Sequence, residues 1–168
     1  MSDKYVYLYD STLRDGAQTQ GVDFNPADKA LIASELDAIG IDYIEGGWPG
    51  ANATDDVFFA DPPALKRSRL TAFGMTRRSG RSADNDPTLA AILSTTAKTV
   101  CIFGKTWDFQ VKTALGIDLD ENIRMIADSI EHATKKTDEV MFDAEHFFDG
   151  YKADPEFALN CLKAALEA

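Results

Sequence analysis

The sequence predicts an α/β protein built on a parallel sheet, and three observations carry that expectation. Five short runs rich in β-branched and aromatic residues recur along the 168 residues, helical patterns separate them, and each run empties into a loop with a conspicuous polar group. Strands joined through helices run parallel with right-handed crossovers. In such a sheet the carboxyl ends of the strands face one side, so Arg14 and Asp15, Glu45, Thr76 with Arg77 and Arg78, Lys105 and Glu145 are expected to converge from distant parts of the chain.

The first run, residues 5–9, leads into LYDSTLRDGAQTQG at 8–21. Within six residues it sets out Asp10, Arg14 and Asp15. Arg14 offers a planar fork of donors for an anionic oxygen, and Asp15 a hard oxygen ligand for a divalent metal. An ordinary surface pair in a βα loop is the plainer alternative. Asn25-Pro26 then opens a helix over 26–39, with Asn25 as N-cap, proline at the first helical position and Leu31, Ile32, Leu36 and Ile39 at helical spacing. Gly40 closes it.

Residues 41–45 form the second strand, ending in EGGWPG with Glu45 and Trp48, and 54–60 a short helix. The third strand, 70–75, runs into Thr76, Arg77 and Arg78. Asp86-Pro87 starts a helix over 87–94, and the fourth strand, 99–103, delivers Gly104, Lys105 and Trp107. A helix over 108–115 precedes a longer one over 119–136, where Asp118 and Glu121 have N-cap spacing. The fifth strand, 139–143, continues into Glu145 and His146. Asp154-Pro155 opens the last helix, with Phe157, Leu159, Leu162 and Leu166 as its apolar positions.

A chain of this length buries roughly 68–70% of its unfolded surface. With a formal net charge of −11, it lacks the basic face that nucleic acid or an anionic membrane requires of a partner. No apolar run reaches transmembrane length and MSDKYVYLYD is not a leader, so a cytoplasmic protein is expected. Cys101, in a strand, and Cys161, in a helix, read as reduced core thiols.

Four motifs in order, DSTLRDG, IEGGWPG, FGKTWD and DAEHFFDGYKADP, resemble the metal-dependent acyl-CoA aldol synthases and lyases that include 2-isopropylmalate synthase, homocitrate synthase and HMG-CoA lyase. The likeness is strongest to the citramalate synthase branch. It implies a (β/α)8 TIM barrel that condenses acetyl-CoA with a small 2-oxo acid, here pyruvate, in branched-chain amino acid biosynthesis. Asp15 matches the family's aspartate metal ligand, for Mg, Mn or Zn, and Arg14 its arginine that steadies enolate and keto oxygens. Glu45 resembles a carboxylate supporting that arginine, and Glu145 one near the 2-oxo acid; with Arg14 they make the expected catalytic set. Gln18, Arg14 and Asp143 are the expected substrate-binding residues, and Ala17 departs from the glutamate more common in that turn. Trp48, Trp107, Phe147 and Phe148 either dry the pocket or belong to the core.

A (β/α)8 barrel has eight strands, and five βα units are counted here, so residues 1–168 are expected to be the N-terminal portion of a catalytic barrel domain. The family's His-x-His metal pair has no counterpart: His132 sits inside a helix pattern and His146 in another motif. The isolated chain is therefore expected to be inactive, to bind metal weakly or not at all, and to form a homo-oligomer. HMG-CoA-lyase-like cleavage and a non-catalytic half-barrel binding module are the competing readings.

Overall fold

In the computed structural model, which describes residues 5–168, strands and helices alternate as the sequence predicts. The strands are β1 (Tyr9–Asp10), β2 (Tyr43–Gly47), β3 (Arg69–Met75), β4 (Thr99–Lys105) and β5 (Glu139–Glu145). The helices are α1 (Pro26–Ile39), α2 (Ala53–Ala60), α3 (Pro87–Leu93), α4 (Asp108–Gln110, running into a π-helical turn at Val111–Leu115), α5 (Leu119–Thr134), α6 (Phe147–Ala153) and α7 (Pro155–Glu167). Neighbours in the sheet are neighbours in sequence, β1 to β5 in order. This is the architecture of five consecutive units of a (β/α)8 barrel.

Contacts divide the chain into two compact units, with the boundary running through β3. In the first, residues up to Phe73 with Thr95–Thr99, β1 pairs in parallel with β2 (Tyr9 opposite Tyr43) and β2 with β3 (Ile44 opposite Leu70). The register slips between Glu45 and Gly47, leaving Gly46 as the extra residue of a bulge. A side chain at Gly46 would meet the Phe58 and Phe59 rings of α2 and Leu70 at 2.7–3.0 Å, so glycine lets α2 seat directly on the strand. In the second unit, Gly74–Ser94 with Val100–Ala168, the end of β3 meets β4 through Thr76 N–H to Phe103 O at 3.1 Å. There β4 meets β5 through Thr106 N–H to Glu145 O at 3.2 Å.

Helix starts follow the local signals. Asn25 accepts from the backbone of Ala27 and Asp28 while Asp28 reaches back to Asn25 N–H, a closed capping box. Asp86, Asp118 and Asp154 each cap with a side-chain oxygen, although Glu121 does not complete a box: its carboxylate turns to Arg77 and Arg124.

Several expectations are corrected. The strand expected over 5–9 is confined to Tyr9–Asp10. Residues 5–8 lie exposed beside the sheet edge, where Asp42 takes over their pairing, accepting from Leu8 N–H (2.8 Å) and the Tyr5 hydroxyl (2.7 Å). The strand expected over 41–45 is shifted to Tyr43–Gly47 because Ile41 and Asp42 still complete the helix C-cap and this edge contact. The apolar face expected of α1 is met in part, with Ile32 and Leu36 half-buried. Leu31 and Ile39 are exposed, and Lys29, Ala33 and Asp37, four apart, face inward because both charges are paired there. In α7 the inward face is Phe157, Ala158 and Cys161, leaving Leu159 and Leu166 outside. Between β5 and α7 the chain forms a further helix, α6, to which the sequence pattern assigns no element.

Candidate active site

The first unit builds the seat of Arg14. β1 ends at Asp10, whose carboxylate turns the chain by accepting from Thr12 N–H and Oγ1 at 2.9 and 3.1 Å. Ser11 O then gathers the N–H groups of Arg14, Asp15 and Gly16 at 2.8–3.1 Å. This tight turn aims Arg14 back at β2. Its Nε donates to Glu45 Oε2 at 2.7 Å, an Nη donates to Asp15 Oδ1 at 3.0 Å, and the guanidinium lies 3.9 Å over the Phe73 ring. Glu45 is 2% exposed, and its other oxygen accepts from the Tyr9 hydroxyl at 2.7 Å. A carboxylate, a π face and a rigid turn together fix the cation before any ligand arrives, which is the preorganisation that charge stabilisation in a reaction requires.

Beside this seat lies a cavity of about 350 Å³ lined by Arg14, Gln18, Phe24, Lys29, Trp48 and Asp55, among others. Lys29 and Asp55 form an ion pair buried beneath it. The ammonium also donates to Gly46 O at 3.0 Å, while the carboxylate accepts from Trp48 N–H and Asn52 Nδ2 at 2.8 Å each. Gly47 sits at φ 147°, where a Cβ would fall 2.5 Å from Asp55, so this glycine and this aspartate require one another. The pair locks the Trp48 turn that follows Glu45.

The second unit holds Glu145 at the end of β5. Its carboxylate is paired with Lys105 Nζ at 2.5 Å, and its backbone oxygen accepts from Thr106 N–H (3.2 Å) and Oγ1 (2.7 Å). Asp143 is half-buried on the same strand. Arg77, expected among the convergent groups, is corrected: it is buried and faces α5, pairing with Glu121 (2.9 Å) and Asp128 (2.7 Å). Burial works against its charge, but the two carboxylates outweigh that and hold its pKa above the usual arginine value. His132, half-buried on α5, is held below the ordinary histidine value by burial first and by Lys136 next. Cys101 and Cys161 are buried and not joined in a disulfide, as expected of reduced core thiols, and burial pushes Cys161 up to about 12.

A family model described as HMGL-like matches residues 5–168. The chain belongs to the HMGL-like family. It is 51% identical over 164 residues to (R)-citramalate synthase of Aquifex aeolicus (strain VF5), covering 96% of this chain and 31% of that protein. With (R)-citramalate synthase of Geobacter sulfurreducens it shares 50% over 165 residues, covering 97% and 31%. The chain thus spans less than a third of the length of these curated relatives. Among solved structures, the HMG-CoA lyase of Bacillus subtilis superposes with a TM-score of 0.73 at 16% identity, over 96% of this chain and 54% of that one, a likeness of fold.

HMGL-like proteins are generally dependent on a divalent metal. Asp15, with its side chain 63% exposed at the end of the turn, suits a hard cation as one ligand. Among the described residues, however, no group of three or more His, Cys, Asp or Glu is placed to hold an ion. No described helix is long and apolar enough to cross a membrane.

Sequence reasoning missed Tyr9 and Phe73 as supports of the arginine, and Lys29 with Asp55 as supports of the Trp48 turn. The last pair left no signal in the hydrophobic pattern: Lys29 shares the buried face of α1 with Ala33 and Asp37, and a charged residue at helical spacing reads as solvent-facing until its partner is known.

Proposed function

We propose that this chain supplies the arginine and aspartate side of the active site of an acyltransferase that condenses acetyl-CoA with a small 2-oxo acid, pyruvate first, giving citramalate. The observation that carries this reading is the seat of Arg14, clamped by buried Glu45 and the Phe73 face beside an open cavity. It is supported by the 50% and 51% identities to citramalate synthases. The reaction needs an enolate formed from the thioester methyl group, its attack on the ketone carbon, and hydrolysis of the resulting thioester to free CoA. Arg14 stabilises the oxygens on which negative charge develops. Glu145 handles a proton near the oxo acid, with Asp143 and Gln18 contacting substrate. A divalent ion, Mg, Mn or Zn, would polarise the ketone when bound, with Asp15 as the ligand this chain supplies. A cytoplasmic homo-oligomer acting in branched-chain amino acid biosynthesis is part of the same reading.

The test is CoA release, measured as free thiol, by the full-length protein that carries this chain. Acetyl-CoA with pyruvate should release thiol, and Arg14→Lys should remove most of the rate while leaving the fold intact, because lysine cannot reproduce the fork. Release of acetoacetate from HMG-CoA with no condensation activity would overturn the reading in favour of a lyase.

A further inference from the structure

We infer that Lys105 is a positioning residue for Glu145, setting the direction in which that carboxylate meets the 2-oxo acid; the inference rests on the function proposed above. The two side chains meet at 2.5 Å, with Lys105 18% and Glu145 31% exposed. By contrast Lys135 and Glu131, a pair on the surface of α5, are 65% and 59% exposed. What distinguishes the Lys105 pair is that the backbone is fixed at both of its members.

On the lysine side, Asn122 of α5, itself 1% exposed, donates from Nδ2 to Lys105 O at 2.8 Å, and Cys161 Sγ of α7 lies 3.8 Å from the same oxygen. One residue earlier, Gly104 leaves no room for a side chain: a Cβ there would stand 2.9 Å from Ile126 and from Phe142 of β5. On the glutamate side, Thr106, fully buried, donates both its N–H and its hydroxyl to Glu145 O. The next residue, His146, then turns sharply off the strand at φ 55°, ψ 33°, the only non-glycine residue among those described with positive φ. A left-handed residue without a glycine is retained at some cost in strain, which concentrates where geometry has a use.

These restraints leave Lys105 and Glu145 little freedom except at their tips. The ammonium engages Oε2, which is buried, while the Glu145 side chain as a whole is 31% exposed, so the carboxylate is held through one oxygen and keeps the other for a proton on a substrate. A cation that orients a carboxylate without saturating it suits a group that must exchange a proton in one direction only.

The experiment compares Lys105→Met, which keeps the stem and removes the charge, with Lys105→Arg, which restores a cation. In the 168-residue chain, carbon-13 NMR of glutamate side-chain carboxyls, with the Glu145 signal assigned by Glu145→Gln, should show that signal displaced in Lys105→Met and largely returned in Lys105→Arg. In the full-length protein kcat for condensation should fall about 100-fold in Lys105→Met, with KM for acetyl-CoA unchanged and most of the rate recovered in Lys105→Arg. An unmoved Glu145 signal, or a wild-type kcat in Lys105→Met, would overturn the inference. Wild-type protein that releases no CoA would refute the proposed function instead, and the carboxyl signals would still decide the role of Lys105. Should Lys105→Met lose its fold by circular dichroism, Lys105→Gln takes its place in both measurements.

Discussion

Glu45→Gln and Glu45→Leu separate what the charge of Glu45 does from what its shape does. One oxygen accepts from Arg14 Nε and the other from the Tyr9 hydroxyl, each at 2.7 Å, in a site that is 2% exposed. Glutamine can keep both contacts, because its amide oxygen accepts from Arg14 while its NH2 donates to the Tyr9 oxygen, and a phenol works in either direction. The loss is then the difference between a charge-assisted and a neutral hydrogen bond, about 1–2 kcal/mol. Leucine fills the space but strands Arg14 Nε and the Tyr9 hydroxyl. Breaking a buried pair from one side costs about 3–5 kcal/mol. Since the Arg14 side chain is 19% exposed and water reaches part of it, about 3 kcal/mol is expected. Adding Arg14→Met removes the stranded cation, and the double variant should recover about 1–2 kcal/mol relative to Glu45→Leu. Urea unfolding at fixed protein concentration, followed by circular dichroism and tryptophan fluorescence, measures all four proteins. Equal losses in Glu45→Gln and Glu45→Leu, or a double variant whose losses simply add, would refute the coupled seat.

Asp37, buried on α1, accepts from the backbone N–H groups of Ser68, Lys66 and Arg67 at 2.7–3.0 Å, and these bonds, Ser68 first, hold its carboxyl well below the usual range. A depressed folded-state pKa contributes stability above the unfolded value of about 3.9 that is lost as pH falls below it. Asp37→Asn should therefore lose about 2 kcal/mol at pH 7 and flatten the acid limb below about pH 4, and parallel acid limbs in urea titrations of the two proteins would contradict this. Cys161, raised to about 12 by burial, should resist a disulfide reagent at pH 8 until the chain is unfolded, and rapid labelling of the native protein would contradict that placement. Calorimetric titration of the 168-residue chain with Mg²⁺ or Mn²⁺ should give a Kd on the order of millimolar, lost in Asp15→Asn, because one carboxylate makes a weak site.

Much of the fold was legible because its signals are local. Asn25, Asp86, Asp118 and Asp154 cap the helices they were expected to cap, since a cap involves only the few residues that follow it. The edge of the sheet was not legible. Residues 5–8 have strand composition, but whether they pair depends on Asp42, more than thirty residues away, whose carboxylate competes for Leu8 N–H. Composition likewise misassigned part of the inner face of α1, because Lys29 and Asp37 are buried by partners that a hydrophobic pattern does not weigh.

The site divides along the same line. Position at a strand end follows from the alternation of elements, but the direction of a side chain does not, and Arg14 and Arg77 show the difference. Both follow a strand, both are arginines, and each makes two carboxylate contacts. Arg14 leaves a tight turn that returns it to the strand ends, where Glu45 and Phe73 hold it beside a cavity. Arg77 instead has its own N–H fixed by Ser129 Oγ at 2.8 Å, which ties its backbone to α5 and its guanidinium to that helix's acids. The Arg77 contacts join helix to loop and stabilise the fold. The Arg14 contacts leave the guanidinium lining an open space, and it is this difference in what lies beyond the salt bridge that separates a structural cation from one available to a substrate.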